Sequence, residues 1–343
     1  MRLAGQAKRR RQAGKLKHPG RWRTAVIRLP EQLAAENPAN RTHLYGLMMS
    51  ILRALDRQHT VVRLDFTGTR TLFPGGTLIM LAYLGLLLES HPRRIKARCR
   101  PKSLAAQLLR HFGLADKLGI DVADSQPTDE SVVNWRYLTG TQAEGEPIAR
   151  MLQSYSDLAS FDPPEGLYEV LTEALTNVRQ HAYPPGGDVP ESMQRWWLFS
   201  RFREPTNSRP GNLFIAVYDI GAGIQTTLKD QLQGSAERLA QLGDDMQSLL
   251  RLGDSRRLQQ VLLQHAIEHQ RTSTGLAFRG HGLPEMRDFV QGTATGRLYI
   301  ISGEAQYSCS PAQNVSDCIT CDPAFPGTLI LWDLPFQAKE LAT

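Results

Sequence analysis

The sequence predicts a mixed α/β protein with two domains, and three observations lead to this prediction. The chain has 343 residues, enough for two domains of ordinary size. Segments typical of strands alternate with amphipathic helices over roughly residues 24–125, as in α/β domains. A second pattern of helices and strands, interrupted by glycine-rich turns, fills the C-terminal half. Hydrophobic residues at 41% and charged residues at 22% are ordinary values for a globular protein.

A basic tail is expected at residues 1–23, which hold nine Lys and Arg residues and no acidic residue. Such a run is typical of a disordered, solubilising tail, and the alternative is weak electrostatic contact with nucleic acid or an acidic partner. The rest of the chain is close to neutral and gives no evident nucleic-acid footprint. Without a signal peptide or an apolar run long enough to cross a bilayer, we expect a cytoplasmic protein that does not enter the membrane.

The first domain is expected at residues 24–138, and local patterning defines its elements. Apolar residues at helical or alternating spacing mark helices and strands, and Ser103 and Gly113 are suited to start and end a helix. In order, the pattern predicts a strand at 24–29, a helix at 44–55, a strand at 61–66, a helix at 77–89, a strand at 95–99 and a helix after Ser103. A strand-like stretch, Val132–Tyr137, precedes a linker expected at 139–146.

The middle of this domain resembles the STAS domain, a family that includes the anti-sigma factor antagonists. The residues that carry the resemblance are Leu64-Asp-Phe-Thr-Gly and Phe73-Pro-Gly-Gly-Thr77-Leu, followed by a helix and a short strand. The antagonists carry a phosphorylatable serine just before the glycine that opens this helix. Here that position is Gly75, and the nearest hydroxyls belong to Thr77 and Thr71. The resemblance therefore implies docking or scaffolding rather than a phosphorylation switch.

A helix expected from Asp162 to about Ala182 carries the first candidate site residues. Asp162 is suited to cap it, and the prolines and glycines at 184–187 end it. Apolar residues form one face of the helix. Polar residues recur every four positions on the other face, namely Glu169, Glu173, Asn177 and His181. On a lone helix such a face would be an ordinary solvated surface.

Two glycine motifs follow this helix. Asp219-Ile-Gly221-Ala-Gly223-Ile224 comes directly after the strand expected at 213–218, and its glycines permit a tight turn and close backbone approach to a ligand. Gly280-His-Gly282-Leu283 opens a helix expected at 283–290, where free amides can bind phosphate. Either motif alone is a weak signal.

In order, the segment Glu173–His181 and the two glycine motifs resemble the three boxes of the GHKL ATPase domain. This domain has the Bergerat fold, an α+β two-layer sandwich. Gly327-Thr328 resembles the terminal Gly-Thr of that family, and the whole resemblance covers residues 147–337. It implies ATP and Mg²⁺ as ligands, and an ATP lid at residues 225–279 with helices around 235–242 and 254–269. The strands expected at 297–302 and 328–334 close the domain, and residues 303–326 are expected to be an insertion between them.

The resemblance also implies a role for each site residue. Asn177 coordinates Mg²⁺, and Glu173 polarises either the attacking water or an acceptor hydroxyl. Asp219 accepts a hydrogen bond from the adenine amino group, and Thr328 supports Asp219 through a water. The remaining candidates bind the nucleotide or shape the backbone around it: His181, Gly221, Gly223, Arg279, Gly280 and Gly282.

The function expected from both resemblances is an ATP-binding regulatory protein that switches a protein partner, such as a STAS or sigma-factor-like regulator. The first alternative is a serine/threonine kinase of the anti-sigma type, which Glu173 permits, although the fused domain lacks the expected serine. The second is a slow ATPase that drives a dimer clamp, although the chain ends soon after Leu334. A sensor histidine kinase is disfavoured because no dimerisation helix with a phosphoacceptor histidine is evident. A homodimer is left open.

The four cysteines are Cys99, Cys309, Cys318 and Cys321. Cys318 and Cys321 form a C-x-x-C pair with Cys309 nearby, but a structural zinc usually takes four ligands and no fourth lies close in sequence. We expect reduced thiols, with a zinc site as the alternative.

Overall fold

The computed structural model describes residues 22–120, 132, 134–159, 161–233, 256–269 and 282–336. These residues form a mixed α/β structure with a three-stranded sheet, a five-stranded sheet and a two-stranded pair. Among the described helices, none combines the length and the apolar character needed to cross a lipid bilayer.

The N-terminal half contains parallel strands joined by helices. Its elements are β1 (Arg23–Arg28), β2 (Gln32–Leu33), α1 (Pro38–Leu55), β3 (Thr60–Asp65), β4 (Thr71–Leu72), α2 (Pro74–Ser90), β5 (Ile95–Arg98), α3 (Leu104–His111) and α4 (Ala115–Leu118). The parallel sheet has the order β1-β3-β5, and β2 pairs with β4. The strands expected at 24–29, 61–66 and 95–99 and the helices expected at 77–89 and after Ser103 are therefore confirmed.

Local capping explains where two of these helices begin. The Asn37 side chain accepts a hydrogen bond from the Asn40 amide at 2.9 Å, so α1 starts six residues before the predicted Leu44. The Ser103 hydroxyl accepts a hydrogen bond from the Ala106 amide at 3.3 Å, as its predicted capping role requires. The chain leaves α3 through Gly113, which has a φ of +66°.

The C-terminal half contains antiparallel strands and the longer helices. Its elements are β6 (Trp135–Gly140), α5 (Glu146–Ala159), α6 (Leu167–Asn177) with a π-helical turn at Val178–Ala182, β7 (Trp196–Arg203), β8 (Gly211–Asp219), α7 (Ile224–Gln233), α8 (Arg256–His269), α9 (Gly282–Gln291), β9 (Arg297–Ser310) and β10 (Val315–Phe336). The antiparallel sheet has the order β6-β7-β8-β10-β9.

Strand β6 lies in this larger sheet, although the sequence assigns most of it to the first domain and the rest to a linker. Thr139 pairs with Trp197 and Gly140 with Trp196 on β7. Trp135 is 1% exposed and meets Phe199 edge-to-face at 5.1 Å, which accounts for the pairing. The boundary between the two sheets therefore lies before Trp135.

The helix that carries the candidate site begins later than predicted. Asp162 was expected to cap it, but α6 begins at Leu167. Gly166 has a φ of +85°, a left-handed conformation that cannot continue into a preceding helical turn. The residue before a proline also avoids helical backbone, which disfavours a helix through Pro163 and Pro164.

Strands β9 and β10 are longer than predicted. The residues expected to form an insertion, 303–326, extend the same two strands, turn at Pro311–Asn314, and are called here the hairpin arm. The arm reaches the N-terminal half, where the buried Arg41 guanidinium of α1 donates to Gln306 at 2.7 Å and to the Cys321 sulfur at 3.4 Å.

The five-stranded sheet is covered by helices on both faces. Side chains of α5, α6, α7, α8 and α9 share one buried cluster with Leu198 and Ile215 of the sheet. Side chains of α1, α2 and α3 share the other cluster with the alternate positions Phe199 and Ala216. Helix α2 is buried along most of its length because it lies between the two sheets. The resulting order of layers is helices, five-stranded sheet, helices and three-stranded sheet.

Candidate functional site

One open cleft brings together five residues that the sequence singles out. It lies among the end of α6, helix α7, the start of α9 and strands β8 and β10, and its volume is about 570 Å³ including space open to solvent. Asn177, His181, Asp219, Gly223 and Thr328 all line it. Residues separated by 151 positions in sequence, from 177 to 328, therefore meet at one site.

The π-helical turn at the end of α6 connects Asn177 to His181. A π-helical turn inserts an extra residue into the helix and is often found at functional sites. The Ala182 carbonyl that ends this turn accepts a hydrogen bond from the Ala222 amide at 2.7 Å. A Cβ atom on Gly221 would lie 2.2 Å from the same oxygen, so only glycine permits this contact. Gly221 thus fixes the loop after β8 against α6 rather than lining the cleft.

Asp219, an acidic residue that lines the cleft, is buried at the end of β8 with 3% exposure. Its Oδ1 accepts the Gly221 amide at 2.8 Å, and the amide and hydroxyl of Thr328 also donate to its carboxylate. Thr328 lies directly opposite Asp219 in the β8–β10 ladder. Burial raises the pKa of Asp219 to about 7, although these three donors act in the opposite direction. Because a carboxylate has about four acceptor positions, capacity remains for a ligand donor.

The glycines around Asp219 are required by the backbone. Gly327 has a φ of +77°, and a Cβ atom there would lie 1.8 Å from the Asp219 carbonyl oxygen. Gly223 has a φ of +83°, and its Cβ would lie 2.9 Å from the Ser302 hydroxyl. That hydroxyl accepts the Ile224 amide at 2.9 Å and lies 3.3 Å from the Thr328 hydroxyl. Ser302 is a supporting residue that the sequence analysis missed, although its place at the end of a predicted strand could have indicated it.

Glu173, Asn177 and Gly282 meet beside the cleft. Glu173 and Asn177 are one turn apart on α6, and α9 packs against that helix. A Cβ atom on Gly282 would lie 2.6 Å from Glu173 Oε1 and 2.8 Å from Asn177 Nδ2. Glycine therefore lets the first turn of α9 approach a carboxylate and a carboxamide directly. Among the described residues, the buried Asn177 Nδ2 has no hydrogen-bond partner.

Helix α7 supplies cleft residues that the sequence analysis did not identify. Thr227, Leu228 and Gln231 line the side opposite α6. The Thr227 hydroxyl donates to the His181 carbonyl at 3.2 Å and so joins the two helices. The spacing of Thr227 and Gln231, four residues apart just after Gly223, was the available signal.

Some predicted residues lie outside the described part of the chain. Arg279 and Gly280 are among them, as is the lid helix expected at 235–242. The helix expected at 254–269 is confirmed as α8, whose buried face packs against β9 and β10; its assignment to a lid stays a prediction.

The first turn of α2, at Pro74–Gly76, is enclosed; the helix begins at Pro74 rather than at the predicted Thr77. The Gly75 amide donates to Glu36 Oε1 at 2.9 Å, and a Cβ on Gly75 would lie 3.4 Å from the Leu331 side chain of β10. Thr77 is 1% exposed, whereas Thr71 is exposed. Of the two hydroxyls nearest the family phosphorylation position, only that of Thr71 lies at the surface.

The four cysteines are free thiols, and Cys309, Cys318 and Cys321 are buried. Cys309 and Cys318 belong to one buried cluster and Cys321 to the other. Burial raises the pKa of the Cys318 thiol to about 12. Over the described ranges, no group of three or more His, Cys, Asp or Glu residues is arranged to hold a metal ion.

No protein-family model, no curated protein and no solved structure matches the chain, so the argument for function depends on the geometry and chemistry of the cleft.

Proposed function

We propose that the cleft binds Mg²⁺–ATP in the manner of a GHKL domain and that the protein is a nucleotide-dependent regulator of a protein partner. The observation that carries the proposal is the convergence of Asn177, His181, Asp219, Gly223 and Thr328 on one cleft. Asn177 and His181 come from the first box, Asp219 and Gly223 from the second, and Thr328 from the Gly327-Thr328 segment, while Leu283 of the third box also lines the cleft. The family resemblance requires these segments to meet.

The adenine end is assigned to Asp219. Its buried carboxylate is held by Gly221 and Thr328 and retains acceptor capacity toward the cleft. If the carboxylate meets position 6 of the purine, it accepts a hydrogen bond from the amino group of adenine and faces the oxo oxygen of guanine, an arrangement that favours adenine. The apolar side chains of Ile330 and Leu228, which line the same cleft, suit the faces of a purine ring.

The phosphate end is assigned to the junction of α6 and α9. A helix start presents free amides that favour anions, and Gly282 brings the start of α9 against Glu173 and Asn177. The side-chain oxygens of Asn177 and Glu173 are the donor type that Mg²⁺ prefers. The unpartnered Nδ2 of Asn177 is a hydrogen-bond donor that a phosphate oxygen would satisfy. Asn177 would hold the ion, which when bound neutralises charge on the phosphates.

Glu173 is placed to accept a proton from water or from an acceptor hydroxyl. Its position one turn before Asn177 puts the carboxylate at the phosphate end of the cleft rather than beside Asp219. This supports an ATPase or a serine/threonine kinase as the catalytic alternatives to simple nucleotide binding. The three functions differ in the fate of the terminal phosphate of ATP: it stays on the nucleotide, is transferred to water, or is transferred to a hydroxyl of a protein.

The contact between the two halves supports a regulatory role. Helix α2 of the STAS-like half packs against β7 and β8, and Tyr83 on α2 is hydrogen-bonded to Tyr218, the residue before Asp219. A movement of Asp219 on ligand binding would therefore be transmitted through Tyr218 and Tyr83 to helix α2 of the N-terminal half. The partner implied by the resemblance is a STAS or sigma-factor-like regulator.

The test combines calorimetric binding of Mg²⁺–ATP with incubation in γ-labelled ATP. The proposal expects binding by the wild-type protein, loss of binding in Asn177→Ala, and loss of preference for ATP over GTP in Asp219→Ala. Label on protein would identify a kinase, released phosphate an ATPase, and binding alone a nucleotide-gated regulator. Unchanged ATP affinity in both variants would refute the site.

A further inference from the structure

The outer face of the three-stranded sheet carries no helical layer in the described structure. Val62, Leu64 and Ile95 are 0% exposed and point into the cluster shared with α1, α2 and α3. Successive residues of a strand point to opposite faces, so the alternate positions form the other face. We call this the outer sheet face, and its residues are Thr24, Val26 and Arg28 of β1, Val61, Arg63 and Asp65 of β3, and Lys96 and Arg98 of β5.

Strand register collects basic side chains on this face. One row of paired residues is Val26, Arg63 and Lys96, and the next row is Arg28, Asp65 and Arg98. Neighbouring strands are about 5 Å apart and alternate residues of a strand about 7 Å apart, so the cations are close neighbours. Four basic side chains thus surround one acidic side chain.

The arginines of this face are available to a ligand. Within the described ranges, none of Arg28, Arg63 and Arg98 forms an ion pair, and all three are exposed. The Asp65 carboxylate accepts hydrogen bonds from the amide and the hydroxyl of Thr67, at 3.0 and 2.6 Å, and attracts Arg98 and Arg28 electrostatically without a close ion pair to either. The Lys96 ammonium lies near Gly119 at the end of α4, on the border of the face.

Large apolar side chains are exposed at the beginning of β1. Trp22 is 55% exposed and contacts the His59 ring edge-to-face at 5.6 Å between centroids. Val26, four residues later, is 57% exposed. Because alternate residues of a strand share a face, Trp22 lies in line with Val26 and Arg28, roughly 13 and 20 Å away along the chain. Proteins that bind single strands combine an exposed aromatic side chain, which stacks a base, with cations along the same face, which neutralise the backbone phosphates.

The chain that leads into this face is also basic. Residues 1–21 hold eight Lys and Arg residues and no acidic residue, and they end directly before Trp22. This excess of Lys and Arg is local, because the rest of the chain is close to neutral.

We propose that the outer sheet face binds single-stranded nucleic acid, with phosphates on Arg28, Arg63 and Arg98 and a base stacked on Trp22. Charge complementarity indicates a polyanion, and the exposed tryptophan distinguishes a nucleic acid from an acidic protein segment. Stacking on Trp22 needs an unpaired base, which favours a single strand over a duplex. This site is separate from the cleft and does not depend on nucleotide binding there.

The test is fluorescence anisotropy of the full-length protein with labelled 20-nucleotide oligo(U) and oligo(dT) at several salt concentrations. The Arg28→Ala/Arg63→Ala/Arg98→Ala variant should bind at least about tenfold more weakly. Its salt slope should fall by about 2, since each phosphate contact on a single strand contributes about 0.7. Trp22→Ala should lose at least about fivefold in affinity, as expected for one stacked base.

The matched control is Arg53→Ala/Arg150→Ala/Arg209→Ala, which removes the same charge from exposed positions elsewhere. It should bind oligonucleotide within about twofold of wild type. Equal affinity of the two triple variants would overturn the proposal and assign any binding to the tail. Binding of polyglutamate as tight as oligo(U), or of duplex as tight as single strand, would overturn the assignment to single-stranded nucleic acid.

Discussion

Gly282 at the start of α9 lies so close to Asn177 on α6 that a Cβ atom on residue 282 would come within 2.8 Å of the carboxamide nitrogen. The same Cβ would lie 2.6 Å from Glu173 Oε1. The nearest atom would be Glu173 Cγ, at 2.5 Å, so every obstacle belongs to the side chain of Glu173 or Asn177, which can move without unfolding the protein. Residue 282 therefore controls the position of the two groups assigned to the phosphate end of the cleft.

Gly282→Ala should weaken Mg²⁺–ATP binding by at least about tenfold, because the methyl group displaces Asn177 and Glu173 from the approach to α9. Calorimetry measures the affinity, and thermal unfolding should show that the variant remains folded. Gly292→Ala, just after the same helix, is the control because its Cβ would meet only backbone oxygens at 3.4 and 3.5 Å. Equal ATP affinity in the two variants would contradict the assigned role of Gly282.

The sequence singled out residues that the structure brings to one cleft. Periodicity placed Asn177 and His181 on one face of a predicted helix and Asp219 after an apolar strand, and the family resemblance selected these residues among other polar positions. The meeting of Gly282 with Asn177 is a tertiary contact that periodicity cannot supply. Strand β7 was missed although Trp196-Trp197-Leu198-Phe199 is a continuous apolar run, typical of a strand buried on both faces.

The arrangement of the two halves could not be predicted from pattern alone. The even apolar character of α2 indicated burial, but only packing shows that it lies between two sheets. The hairpin arm resembles an insertion in sequence because polar residues such as Gln306, Ser308 and Ser310 interrupt the apolar run of β9. Arg41 gave no signal in sequence because a buried arginine depends on partners 265 and 280 residues away.

ATP affinity should depend on pH through Asp219. A ligand that donates a hydrogen bond prefers the charged carboxylate, whose pKa is about 7 in the cleft. Affinity should therefore be constant above about pH 8 and fall as the pH is lowered through 7 toward 6, by at most about tenfold per pH unit. The control is Asp219→Asn, because it removes the titration of residue 219 and keeps that of His181 and of the ATP phosphates. The same pH profile in both proteins would exclude Asp219 as the titrating group.

Asp219→Asn should also change stability in a pH-dependent way. The folded-state pKa is raised from 3.8 to about 7, so the stability linked to this group is full below pH 4 and is lost as the pH rises through 7. The neutral amide avoids this loss, so the variant should gain stability relative to wild type between pH 5 and pH 8. A shift of about three pKa units corresponds to at most about 4 kcal/mol. Denaturant titrations of both proteins at pH 5 and pH 8 measure the free energy of unfolding. An equal difference between variant and wild type at the two pH values would contradict the prediction.

Arg41→Ala should destabilise the protein by about 2–4 kcal/mol, since it leaves buried acceptors without their donor. The guanidinium donates to the Ala35 carbonyl, Gln306 and Cys321, and so joins α1 to the hairpin arm. Arg53→Ala removes an exposed arginine from the same helix and should cost less than about 0.5 kcal/mol. Equal unfolding midpoints for the two variants would show that the arm is held by other contacts.

Glu173→Gln separates binding from chemistry at the proposed ATP site. The amide keeps the size of the side chain beside Gly282 but cannot accept a proton, so Mg²⁺–ATP affinity should stay within about threefold. Phosphate release or transfer should fall by about 10²–10⁴-fold, the usual contribution of a positioned base. Glu169→Gln, two turns before Asn177 on the same helix and exposed, is the matched control and should leave turnover unchanged. Normal turnover in Glu173→Gln would remove the assigned role. Of the two glutamates, Glu173 is the one that lies against Gly282 at the start of α9. An equal loss of turnover in both variants would therefore indicate a general effect of negative charge along α6.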